Sequence, residues 1–82
     1  MIIQRFMPKP PLIKARQLIN VLKKLGFSHI HGKGSHMFFA HPDGRKTTIP
    51  IHGKDIPLGM LRAIIKDLHM TVEEFKKVLK TL

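Results

Sequence analysis

The spacing of apolar residues changes period twice along this chain, and that alternation narrows its fold more than any other feature. Ala15, Leu18, Ile19, Leu22 and Leu25 recur three or four residues apart, which predicts an amphipathic helix over 14–25. Lys14, Arg16, Lys23 and Lys24 fall largely off its apolar face, and Gly26 stands where a left-handed cap belongs. Over 28–51 the pattern becomes that of strands. Ser28-His29-Ile30-His31 alternates, Met37-Phe38-Phe39-Ala40 is a short apolar run, and Lys46-Thr47-Thr48-Ile49 is rich in β-branched residues. Gly32-Lys33-Gly34-Ser35 and Pro42-Asp43-Gly44 separate these runs as turns, so three short antiparallel strands joined by two hairpins are expected. Phe38 and Phe39 point to opposite faces, which leaves open which face of the middle strand is buried.

Helical spacing then returns. Leu61, Ile64, Ile65 and Leu68 form a stripe over 57–69, with Pro57 suited to the first turn and Gly59 weakening the helix slightly. Val72, Phe75, Val78 and Leu79 form another over 72–80. Thr71 and Glu74 have the spacing of a capping box there, and Met70 with Phe75 that of a hydrophobic staple. The order α-β-β-β-α-α predicts an α+β fold, a three-stranded antiparallel sheet with its helices packed on one face. The other face is left for solvent or a ligand. Residues 1–13 carry Pro8, Pro10 and Pro11 and read as a proline-rich, extended N-terminal arm, with Met7 an alternative start; residues 14–82 read as one domain.

An 82-residue chain supports one modest core, so a site assembled on the surface is expected rather than an enclosed cofactor cavity. Cysteine is absent, which excludes a disulfide framework and cysteine–zinc sites. No apolar run reaches the length of a membrane span, and Met1–Phe6 lacks a signal peptide's apolar stretch, so a cytoplasmic location is expected. The formal charge is +10. It is unevenly spread: residues 1–54 hold ten Lys/Arg against Asp43 alone, while residues 55–82 hold five against four acids. A strongly basic region on a small domain attracts polyanions, nucleic acid first and an acidic protein second.

Four of the six histidines fall in or beside the hairpins, at 29, 31, 36 and 41; the others are His52 and His69. In Lys33-Gly34-Ser35-His36, glycines at 32 and 34 allow close backbone approach, Lys33 offers a cation to a phosphate and Ser35 a hydroxyl. His36 sits where the turn enters the second strand. RNA cleavage by internal attack needs little more: a base for the 2′-OH, an acid for the departing 5′ oxygen and a cation near phosphorus. The same four residues also fit a plain hairpin turn with an exposed histidine. A second possibility is a metal site in which His41 joins His29 and His31, taken to share one strand face, although the spacing matches no familiar signature. Strand histidines that help bind a phosphate backbone fit the pattern better. His52 and Lys54 precede a helix N-terminus, which favours anions. His69 closes the helix over 57–69, where a cation suits the dipole. The Met and Phe residues read as core, except Phe6 and Phe38, which find no place; no aromatic-rich single-strand-binding pattern is present.

These segments, in this order, resemble the HicA toxins, also described as YcfA-like messenger-RNA interferases. The resemblance is carried by Leu18-Ile19-Asn20-Val21-Leu22-Lys23-Lys24-Leu25-Gly26-Phe27, Lys33-Gly34-Ser35-His36, His41-Pro42-Asp43-Gly44-Arg45, Ile49-Pro50-Ile51-His52-Gly53-Lys54-Asp55-Ile56 and Gly59–Lys66, and covers roughly residues 14–70. It implies a fold like the double-stranded-RNA-binding domain and a ribonuclease that arrests translation. It implies His36 as the catalytic residue and an acidic HicB-type antitoxin that covers the active site. Lys33, Gly34 and Ser35 would contact or shape the approach to RNA, with Arg45 and Lys54 as backbone contacts, and no metal or cofactor is expected. Met37 stands where many members have a second histidine, and the arm over 1–13 has no family counterpart. A non-catalytic RNA-binding module of the same fold, or a degenerate toxin kept to hold its antitoxin, are the alternatives.

Overall fold

A computed structural model describes residues 9–51 and 53–82, Lys33 by its backbone alone. Met1–Pro8, with Phe6 and the alternative start at Met7, and His52 lie outside the described residues. The elements are α1 (Ala15–Lys24), β1 (Ser28–Lys33), β2 (His36–Ala40), β3 (Lys46–Pro50), α2 (Leu58–Asp67) and α3 (Val72–Lys80). The strands form one antiparallel sheet in the order β1-β2-β3. The α+β architecture expected from the apolar spacing is the one observed.

Local chemistry explains where the helices stop and start. At the end of α1, the Gly26 N–H donates to Lys23 O (3.1 Å) and the Phe27 N–H to Leu22 O (2.9 Å), with Gly26 at φ 95°. This is a Schellman cap, which satisfies carbonyls the helix leaves unpaired. The end of α2 repeats it with His69 in glycine's place, at φ 57°: His69 N–H donates to Lys66 O and Met70 N–H to Ile65 O. At the start of α3, Thr71 Oγ1 accepts from the Glu74 N–H and Glu74 Oε1 from the Thr71 N–H, the reciprocal box read in the sequence.

The first hairpin departs from expectation. β1 continues through Gly32 and Lys33, which pair with Met37 and His36, so the turn contracts to Gly34-Ser35. Gly34 has φ 62° and Ser35 has no positive φ, the pattern of a type II′ turn, whose twist matches the strands it joins. Ile30 is an extra residue: His29 pairs with Phe39, but His31 pairs with Phe38. That bulge reverses the side-chain parity, so His29 and His31 lie on opposite faces of the sheet and not on one. In the second hairpin the Gly44 N–H donates to His41 O and the His41 N–H to Arg45 O, with Gly44 at φ 100°.

Phe39, Thr47 and Ile49 face the core from the sheet and meet Leu18, Val21 and Leu22 of α1, Leu61, Ile64, Ile65 and Leu68 of α2, and Phe75 of α3. Ahead of α1, Pro10 and Ile13 are also buried, and the Ile56 N–H donates to Ile13 O. Pro10 and Ile13 therefore pack with the domain, while Leu12 is exposed. The opposite sheet face carries His36, Phe38, Thr48 and Lys46, which are exposed or half-buried. Among the described residues, no helix is long and apolar enough to cross a membrane.

Candidate active site

His36 is the first residue of β2, and its side chain is exposed on the sheet face opposite the core. Three contacts fix its backbone. It pairs with Lys33 across the tight turn, it pairs with Pro50 of β3, and the preceding Ser35 O accepts the Ile51 N–H. The loop after β3 is thereby tied to the Gly34-Ser35 turn. Gly32 takes part as well: a Cβ there would stand 2.9 Å from the His36 carbonyl oxygen, closer than real Cβ atoms approach. The two glycines thus differ in role. Gly34 supplies the positive φ of the turn, and Gly32 allows β1 to close upon His36's own strand.

Lys54 is exposed in the loop that Ile51 anchors. On the same loop, Gly53 O and Asp55 Oδ1 accept from Lys14 Nζ at 3.2 and 3.3 Å. A shallow groove of about 440 Å³ runs between the start of α1 and this loop, lined by Lys14, Arg16, Ile19, Met37, Ile51 and Gly53. Met37 adjoins His36, so the groove brings Lys14 and Arg16 to the histidine's end of the molecule. Their spacing in the sequence places both cations only off the apolar face of α1. They lie some twenty residues from His36 in the chain, and no local pattern announces the juxtaposition.

Arg45 stands apart from this group. Its Nε donates to Asp43 Oδ2 (2.8 Å), its Nη1 donates to Leu68 O (2.7 Å), and its guanidinium lies 5.1 Å from the Phe27 ring centroid. The fork therefore ties the second hairpin to the end of α2. Asp43 accepts the Arg45 backbone N–H as well (3.0 Å), and this bond, helped by the guanidinium, holds its carboxyl below the usual range. His41 belongs to the same lock. Its Nδ1 accepts the Asp43 N–H (3.1 Å), and its ring meets Phe27 edge-on. A Cβ at Gly26 would come within 3.1 Å of His41 Nε2. His29 tilts against Phe39 on the core side, while His31 tilts against Phe38 on the open side. The three histidines weighed as metal ligands are thus dispersed, and no three His, Asp or Glu converge among the described residues.

In short, the structure brings Gly34, Ser35 and His36 together, with the Lys33 backbone paired to His36 and Lys54 on the adjoining loop. Arg45 lies in the second hairpin, bonded to Asp43 and to Leu68 O. No curated protein matches this chain. The family model for the HicA toxin of bacterial toxin–antitoxin systems matches residues 15–70, which spans α1, the whole sheet and α2. The chain belongs to the HicA toxin family of bacterial toxin–antitoxin systems.

Proposed function

We propose that this toxin is an endoribonuclease that cleaves messenger RNA through His36, by acid–base chemistry that needs no metal. The observation that carries the reading is the exposed His36 on a sheet face that none of the described helices covers, its backbone braced by the Gly34-Ser35 turn and by β3. In the reaction the 2′ oxygen attacks its own phosphate. The P–O2′ bond forms, the P–O5′ bond breaks, and the products end in a cyclic phosphate and a 5′-hydroxyl. His36 transfers one of the two protons, as base toward the 2′-OH or as acid toward the leaving oxygen. Lys33 and Lys54 serve as phosphate contacts, while Gly34 and Ser35 shape the approach. Arg45 contributes by holding the hairpin in place. In this reading the protein works in the cytoplasm, and its antitoxin is an acidic HicB-type protein that covers His36.

The test is cleavage of end-labelled RNA by the purified chain and by His36→Ala, with and without EDTA. Cutting that survives EDTA and falls by roughly 10² to 10⁴ in the variant is expected. Two results would reject the reading: cutting that EDTA abolishes, or RNA that both proteins shift in a gel and neither cuts.

A further inference from the structure

The open face of the sheet carries an aromatic pair that the proposed chemistry does not use. Phe38 lies two residues beyond His36 on β2, so both side chains project from the same face, about 7 Å apart along the strand. Phe38 is half-buried and is not packed against the core, unlike its neighbours Met37 and Phe39. The Ile30 bulge brings His31 opposite it, with ring centroids 5.0 Å apart and planes at 43°. Thr48, small and exposed, flanks it on the other side.

We infer that Phe38, with His31 beside it, is a stacking platform for an unpaired nucleobase of the RNA strand at whose scissile phosphate His36 transfers a proton. The inference rests on the reading of His36 as catalytic and names what that site holds. Three observations favour RNA over another occupant. Neither Asp nor Glu occurs in β1, β2 or β3, so the strands themselves set no like charge against a polyanion. Exposed Lys46 stands at the far end of β3, with His36 at the near end. The platform is one residue pair from His36, within the reach of a single nucleotide. Stacking on an aromatic ring requires a splayed, single-stranded base, since a paired base offers no free face. The substrate is accordingly an unpaired segment, even though the fold resembles a binder of duplexes.

The chain has neither Trp nor Tyr, so a Phe38→Trp substitution introduces the only strong fluorophore. In full-length His36→Ala/Phe38→Trp, a short single-stranded RNA is expected to quench the indole, and heparin, a polyanion without bases, to leave it bright. In the active chain, Phe38→Leu is expected to weaken RNA binding by about 5- to 100-fold, and Phe38→Tyr to restore it. Equal quenching by heparin, silence toward RNA, or a response to an acidic protein partner alone would overturn the platform. Its fate is separable from that of His36. An indole quenched by RNA in a chain whose wild type cuts nothing sinks the catalytic reading only. An unresponsive indole in a chain that cuts through His36 sinks the platform only.

Discussion

Two side chains of this toxin hold backbone geometry that other residues would hold differently. His69 occupies the left-handed position of the α2 cap at φ 57°, where α1 uses Gly26 at φ 95°. A side chain costs roughly 1–2 kcal/mol in that region, and glycine's extra unfolded entropy offsets part of the relief. His69→Gly is therefore expected to stabilise the fold by roughly 0.5–1 kcal/mol, read from urea unfolding. No gain, or a loss, would mean that the imidazole's interaction with the α2 carbonyls outweighs the strain. Asp43 is the second case. Its carboxyl is lowered first by the Arg45 N–H and then by the guanidinium. A lowered folded pKa means that the carboxylate stabilises the hairpin fully above its unfolded pKa, and that this is lost as pH falls through the folded value. NMR titration of the Asp43 carboxyl should give a midpoint below the ordinary one, and Asp43→Asn should remove the matching titration of the Arg45 amide. A midpoint at or above the ordinary value would contradict the geometry.

At the scale of elements, the first hairpin decides where His36 sits. Gly32→Ala adds a single methyl 2.9 Å from the His36 carbonyl oxygen, at a position where φ imposes no constraint of its own. The strand pair must spread, and the histidine moves with it. The expected result is a fall in RNA cleavage of about tenfold or more with a much smaller change in substrate binding, because misplacement by a fraction of an ångström acts on the chemical step. Cleavage at the wild-type rate would show that His36 tolerates the shift. The glycine itself was visible in the sequence, but its purpose was not. Helical spacing, the Thr71–Glu74 box and the Gly26 cap are local patterns, and they were read to within a residue or two of the observed helices. The Ile30 bulge depends on how β1 pairs with β2, and alternation within Ser28–His31 carries no record of it. One inserted residue reversed the inferred partnership of His29 and His31 and gave Phe38, which had no assigned place, its neighbour. Likewise the Arg45 bond to Leu68 O spans two elements that no short motif connects.

At the scale of the whole molecule, charge is distributed in register with the proposed site. Residues 1–54 hold ten cations against one acid and contain the sheet, the turn and all of α1. α3, with Lys76, Lys77 and Lys80, packs chiefly on α1 and α2. Orientation therefore matters as much as total charge. RNA bound to the open face should release counterions in proportion to the phosphates that its local cations neutralise. With four such contacts, affinity for single-stranded RNA would fall about 50-fold between 50 and 200 mM salt. Measured on His36→Ala to avoid cleavage, Lys54→Gln and Lys46→Gln should each flatten the salt slope by about 0.7. Replacing Lys76, Lys77 and Lys80 together by Gln removes more charge yet should leave the slope nearly unchanged, because screening weakens charges beyond about 10 Å at ordinary salt. If the triple variant flattens the slope as much as the two single variants do, binding follows net charge alone, and RNA has no preferred face on this fold.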